Sequence, residues 1–181
     1  MRHVADWSAV SLLVTEYGLS KTLADKLAFL PRHIIKEIDE TRKNGTAYRV
    51  VSSTLWLNTP EMQLFATDVI QTYRRLYPKN SDLQKDITLQ QVKEICILMR
   101  GKYPKKLQFR ADHVYATLSY YREGTLNEHK CKCCTSNYVC HINYLASSSC
   151  PVCAIVLQIR KVRKETVDLP THGSEKKIVT S

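Results

Sequence analysis

Two cysteine pairs, Cys131-x-x-Cys134 and Cys150-x-x-Cys153, constrain this chain more than any other feature. In each pair a backbone turn brings two thiols together, and 15 residues separate the pairs. That spacing lies within the range of four-cysteine zinc sites. Four soft thiolates suit Zn2+ in a tetrahedron, and a site closed by four protein ligands leaves no coordination position for a substrate. The pairs therefore predict one structural Zn2+ per chain, and a binding protein rather than an enzyme. Three thiols crowd the first pair. The x-x spacing favours Cys131 and Cys134 and leaves Cys133 outside, with Cys140 and His141 as chemical substitutes for any of the four.

Other chemistry fits less well. Cys150-Pro151-Val152-Cys153 has the form of a redox dithiol, but a redox motif needs no partner pair at this spacing. A zinc deaminase needs a His-x-Glu element, and Glu128-His129 has the wrong order. No Ser-His-Asp set, phosphate loop or paired carboxylate is legible, so catalysis has no candidate residues. Disulfides are the remaining use for seven cysteines. No secretory signal is read at the start, because the apolar run Ala9–Val14 is short and Glu16 follows it, so reduced, metal-bound thiols are expected. No stretch is long enough to span a membrane.

Charge adds a second constraint. The 181 residues carry a formal charge of +10, unevenly spread. Residues 1–45 hold seven basic and six acidic side chains, whereas Lys130 to Lys164 holds six basic residues and no acid. A second acid-free cluster comprises Arg100, Lys102, Lys105, Lys106 and Arg110. Two such patches point to a polyanion, most simply nucleic acid. The candidate DNA-binding residues are that cluster together with Lys130, Lys132, Arg160, Lys161, Arg163 and Lys164.

The fold class expected is mainly α: a helical body with a small C-terminal four-cysteine zinc module. Helices are predicted over Val4–Tyr17, from a cap at Ser20 through Leu30, and from Pro31 towards Gly45 with Ile34, Ile35 and Ile38 inward. The pair at 20–43 resembles a helix-turn-helix only weakly, since Glu37, Asp39 and Glu40 would repel phosphates. Tyr48–Leu57 reads as an extended connection or short strand. Thr59-Pro60 starts a helix to Tyr77, and Thr88 with Gln91 forms a capping box for a helix through Met99 that buries Val92, Ile95 and Leu98. A last body helix spans about Arg110 to Arg122 and ends at Gly124. Tyr138–Tyr144, between the cysteine pairs, is read as hairpin-forming. The divisions are 1–125 for the body, carrying the partner-binding surface and part of the DNA-binding one, 126–165 for the zinc module with its basic extension, and 166–181 for a mobile tail.

These features together resemble the FlhC family, the C subunits of the bacterial flagellar master transcriptional activator. The likeness rests on Cys-x-Cys-Cys-(x15)-Cys-x-x-Cys, on the preceding Tyr121-Arg122-Glu123-Gly124 and on the basic run that follows. Leu30-Pro31-Arg32, Ile34-Ile35-Lys36 and Ser52–Leu57 add to it, and it covers roughly residues 10–165 at low identity. Thr135-Ser136 stands where the family pattern has a glycine pair, and Cys140 is extra. The resemblance implies zinc ligands at Cys131, Cys134, Cys150 and Cys153. It also implies assembly with a small helical FlhD-type subunit into a heterohexamer of four D and two C chains. Such a complex binds promoter DNA and activates RNA polymerase in the bacterial cytoplasm, at flagellar genes or, in relatives on conjugative plasmids and integrative elements, at transfer genes. The rival expectation is a zinc-stabilised protein-interaction adaptor without direct DNA contact.

Overall fold

A computed structural model describes residues 7–42, 51, 53–80, 83–103, 109–142 and 149–167. Among these the chain is mainly helical, with a single two-stranded sheet. Helices α1 (Trp7–Tyr17), α2 (Lys21–Ala28) and α3 (Arg32–Arg42) come first. They are followed by α4 (Pro60–Leu76), α5 (Leu89–Lys102) and α6 (Ala111–Arg122). Strands β1 (Leu126–Lys130) and β2 (Asn137–His141) and helix α7 (Pro151–Val167) complete the order.

The helix starts follow from local chemistry. Ser20, extended, accepts the Leu23 N–H and caps α2. Thr59 accepts the Met62 N–H with Pro60 in the first turn of α4. Thr88 and Gln91 exchange bonds in a capping box at α5, where the Thr88 N–H donates to Gln91 Oε1 at 2.8 Å. Each device satisfies amide donors that the first helical turn leaves without partners.

Helix α4 is the centre of the molecule. It touches α5, α6, α7, β2 and the short turns on either side of it. Phe65, Val69, Ile70 and Tyr73 on α4 meet Val92 and Ile95 of α5 and Val114 and Leu118 of α6 in one buried cluster. Truncating a buried aromatic such as Phe65 to Ala should cost about 3–5 kcal/mol. Helix α1 adds Leu13 and Val10 to the same cluster from the α5 side. The α2 and α6 starts are joined where the Ser20 N–H donates to Oδ1 of buried Asp112 at 2.7 Å.

Three expectations need correction. Leu98 is 42% exposed rather than buried, because the inward face of α5 runs through Val92, Ile95, Cys96 and Met99. That phase leaves residue 98 one position off the seam. Leu55–Asn58 is a 3-10 turn, not a strand. The tight turn buries Leu57 and sets the Trp56 ring 4.9 Å from His113, which an extended segment running into Thr59-Pro60 would not do. The hairpin is only half within Tyr138–Tyr144: Tyr138–His141 belongs to its second strand, and its first strand is β1. Leu126 pairs with His141 and Lys130 with Asn137, so the strands enclose the first cysteine pair. Residues 43–50, 143–148 and 168–181 lie outside the described residues, and with them parts of the expected third helix, extended connection, hairpin segment and tail.

Candidate metal centre

The first cysteine pair sits on the turn of the β1–β2 hairpin. Cys131 follows β1 directly, and its amide and carbonyl close the turn: the Cys131 N–H donates to the Ser136 carbonyl at 2.9 Å, and the Thr135 N–H to the Cys131 carbonyl at 3.0 Å. Thr135 takes the left-handed conformation at φ 61°. A branched side chain is costly there, which explains why a glycine suits this corner. The second pair sits at the start of α7. Cys150 precedes Pro151, and the Ala154 N–H donates to the Cys150 carbonyl at 3.0 Å. Cys150 and Cys153 therefore sit at the start of α7, one residue before and two residues after Pro151.

The four sulfurs converge. Cys131, Cys134, Cys150 and Cys153 offer ligand atoms that all lie within 4.8 Å of one another. Cys131 Sγ is 4.0 Å from Cys153 Sγ, and Cys134 Sγ is 3.5 Å from Cys150 Sγ. A tetrahedron with 2.3 Å metal–sulfur bonds has sulfur separations of about 3.8 Å. The cluster thus fits a metal ion held by four thiolates and is compatible with zinc. Backbone amides already serve it: Cys131 Sγ accepts the Cys133 N–H at 3.3 Å and the Cys150 N–H at 3.2 Å.

The thiols are electrostatically unequal. Amide donation from Cys134, and from Cys150 and Cys133, draws Cys131 down to about 6 against an opposing effect of burial. The Ser136 hydroxyl and amide lower Cys134. Burial raises Cys150, and hydrogen bonds to the neighbouring thiols of Cys134 and Cys150 hold the Cys153 proton up to about 12. Hydrogen-bond donation thus favours the thiolate on the hairpin side of the centre more than on the helix side.

Cys133 is exposed and contributes its amide rather than its sulfur. Cys140 is buried beside the centre but donates its thiol to the His141 carbonyl at 3.6 Å, and neither Cys140 nor His141 is in the converging set. Cys96 is buried in the helical core, away from the converging set.

The basic residues divide into two groups. Arg100 stacks on Tyr17 with its guanidinium carbon 4.4 Å from the ring, and its Nη1 pairs with Glu16 at 3.2 Å. Lys102 Nζ lies 2.6 Å from the carboxylate of buried Asp68. Arg110 is half-buried at the start of α6, its amide donating to His113 Nδ1 at 3.0 Å. Lys105 and Lys106 lie outside the described residues. By contrast, Lys130 and Lys132 on the hairpin and Arg160 and Lys161 on α7 are exposed. None of these four pairs with an acid among the described residues. Arg163 and Lys164 belong to the last turns of α7.

One group of residues escaped the sequence reading. The Val139 N–H on β2 donates to Thr67 Oγ1 of α4 at 3.1 Å, while the same hydroxyl donates to the Gln63 carbonyl at 2.8 Å. Arg74, also on α4, binds both Glu128 of β1 and the Tyr121 hydroxyl of α6. These contacts fasten the cysteine hairpin to the central helix. Nothing local marks them, since the Thr67–Val139 bond joins positions 72 residues apart.

No helix among the described residues is long and apolar enough to cross a membrane. No family model matches the chain, and no curated protein matches it.

Proposed function

We propose that this protein is a DNA-binding transcriptional activator subunit, stapled by a structural zinc and working with a small helical partner of the FlhD type in the bacterial cytoplasm. The observation that carries this reading is the placement of charge. Exposed, acid-free cations stand on both arms of the four-cysteine centre, on the hairpin at Lys130 and Lys132 and on α7 at Arg160 and Lys161. A bound zinc would supply closed thiolate coordination that holds the hairpin turn and the α7 start in one orientation. Lys130, Lys132, Lys161 and the basic end of α7 then meet phosphates as one surface, which gives affinity and register rather than sequence readout. Arg100 and Lys102 are engaged by Glu16 and Asp68 and would have to exchange those partners for phosphate, so they rank second.

The test is the salt dependence of duplex binding by the zinc-loaded chain with its co-expressed helical partner. Each phosphate contact contributes about 0.9 to the slope of log K against log salt. Replacing Lys130, Lys132 and Lys161 by Ala together should lower that slope by nearly 3, whereas Arg100→Ala should change it little. A slope unchanged by the triple substitution sinks the assignment. Metal analysis tests the zinc: one equivalent per chain is expected.

A further inference from the structure

Helix α7 carries an apolar face that nothing covers among the described residues. Near its start Pro151 is buried, and Cys153, Ala154 and Ile155 are half-buried, where the helix lies against α4. From Val156 to Lys161 every residue is exposed. Val152, Val156 and Ile159 are 47%, 41% and 49% exposed. Steps of four and three place them in one stripe along the helix. Single apolar residues at a surface are ordinary, but a stripe on a helix that has left its support marks a contact. A helix gains most of its stability from packing such a face, and no described residue packs on this one.

The chemistry around the stripe selects its occupant. Val156 is followed four residues on by Arg160, which therefore borders the stripe, while Lys161 lies about 200° round from Ile159 on the far side. No acid occurs between Lys130 and Lys164. DNA would satisfy Arg160 and Lys161 yet leave Val156 and Ile159 in water. A second copy of this chain would bring Arg160 against Arg160 in a molecule already at +10. An amphipathic helix with acids beside its apolar residues satisfies both parts, because helix-on-helix packing buries the stripe and a carboxylate meets the guanidinium.

We propose that the outer face of α7, formed by Val152, Val156 and Ile159 and bordered by Arg160, docks an amphipathic helix of a second protein whose apolar stripe is flanked by Asp or Glu. Lys161, on the opposite side, stays available to phosphate. The proposal rests on the reading of this chain as a subunit with a helical partner, and it names the surface and the chemistry of that contact.

The experiment uses the full, metal-loaded chain without DNA, so its outcome is separate from that of the salt titration above. Two synthetic 18-residue helical peptides serve as probes, both with Leu at alternating three- and four-residue steps, one flanked by Glu and one by Lys. Fluorescence anisotropy should show binding of the Glu-flanked peptide and at least tenfold weaker binding of the Lys-flanked one. Val156→Ser with Ile159→Ser should weaken the Glu-flanked peptide at least tenfold, with the four-thiolate absorption of the cobalt-substituted protein unchanged. Arg160→Glu should weaken it at least threefold, whereas Lys85→Glu, the same charge change on an exposed loop, should leave it unchanged. Should the double Ser variant misfold, the contrast between Arg160→Glu and Lys85→Glu decides the matter. Equal binding of the two peptides overturns the proposal, as do equal effects of the two Glu substitutions. It is also overturned by a dimer of the chain that the double Ser variant dissolves, or by binding to phosphatidylcholine–phosphatidylglycerol vesicles that depends on Val156 and Ile159.

Discussion

His113 illustrates how one side chain couples the fold to pH. Its Nδ1 accepts the Arg110 N–H at 3.0 Å and its ring packs against Trp56, so the neutral imidazole is the form the fold holds. Burial, helped by the nearby Arg110 charge, lowers it to about 4 from an ordinary 6.5. The unfolded chain therefore takes up this proton first as pH falls, and stability present above about 6.5 is lost on the way down to about 4. The loss attributable to His113 between pH 7.5 and 5 should be about 2 kcal/mol. Neighbouring Asp112, raised by burial, binds its proton more readily when folded and so opposes the loss at the acid end. Urea unfolding of wild type and His113→Gln at both pH values isolates the effect, since acid weakens the thiolate centre in both proteins alike. A second residue-scale outcome concerns Phe29, left-handed at φ 49° and 85% exposed at the end of α2. Its ring packs little and its backbone favours glycine, so Phe29→Gly should raise the unfolding free energy by about 1 kcal/mol.

At the scale of elements, the attachment of the hairpin to α4 carries its own prediction. Thr67→Val keeps the shape of the side chain but removes the acceptor for the Val139 N–H. A buried donor left without a partner should cost about 1–3 kcal/mol. The cost should appear as faster hydrogen exchange at Val139, with metal still bound and α5 and α6 unaffected; protection at Val139 equal to wild type counts against the fastening role. What the sequence made legible follows the range of the interaction. Caps at Ser20, Thr59 and Thr88 were readable because each side chain reaches an amide three residues away. The cysteine set was readable because a metal imposes its spacing on the chain. The Leu98 error came from helix phase, which α1 and α4 decide from outside α5. The first strand of the hairpin has no local mark, because strand pairing joins segments that periodicity treats separately. Partners of Arg100 and Thr67 lie 84 and 72 residues off, beyond any local pattern.

For the molecule as a whole, the separation of the helical core from the four-cysteine cluster sets the expected response to chelation. The main cluster spans α1, α2, α4, α5 and α6 and uses no cysteine of the centre, whereas the small cluster of Cys131, Tyr138, Cys140 and Cys150 gathers around it. Stripping the metal should therefore leave most of the helical circular dichroism and a cooperative thermal transition, while amide protection around Cys131–His141 and Cys150–Ala154 collapses. Cys131→Ser should abolish the four-thiolate cobalt spectrum, and Cys133→Ser should leave it intact. Complete unfolding on chelation would show instead that the body depends on the metal. Helix α7 begins at two of the four sulfurs and continues for 17 residues, roughly 25 Å. A metal ion held there would be the fulcrum of a lever. A tilt of about 5° at the sulfurs would carry the far end of the helix roughly 2 Å, so small adjustments in the thiolate shell become differences in reach at the basic tip.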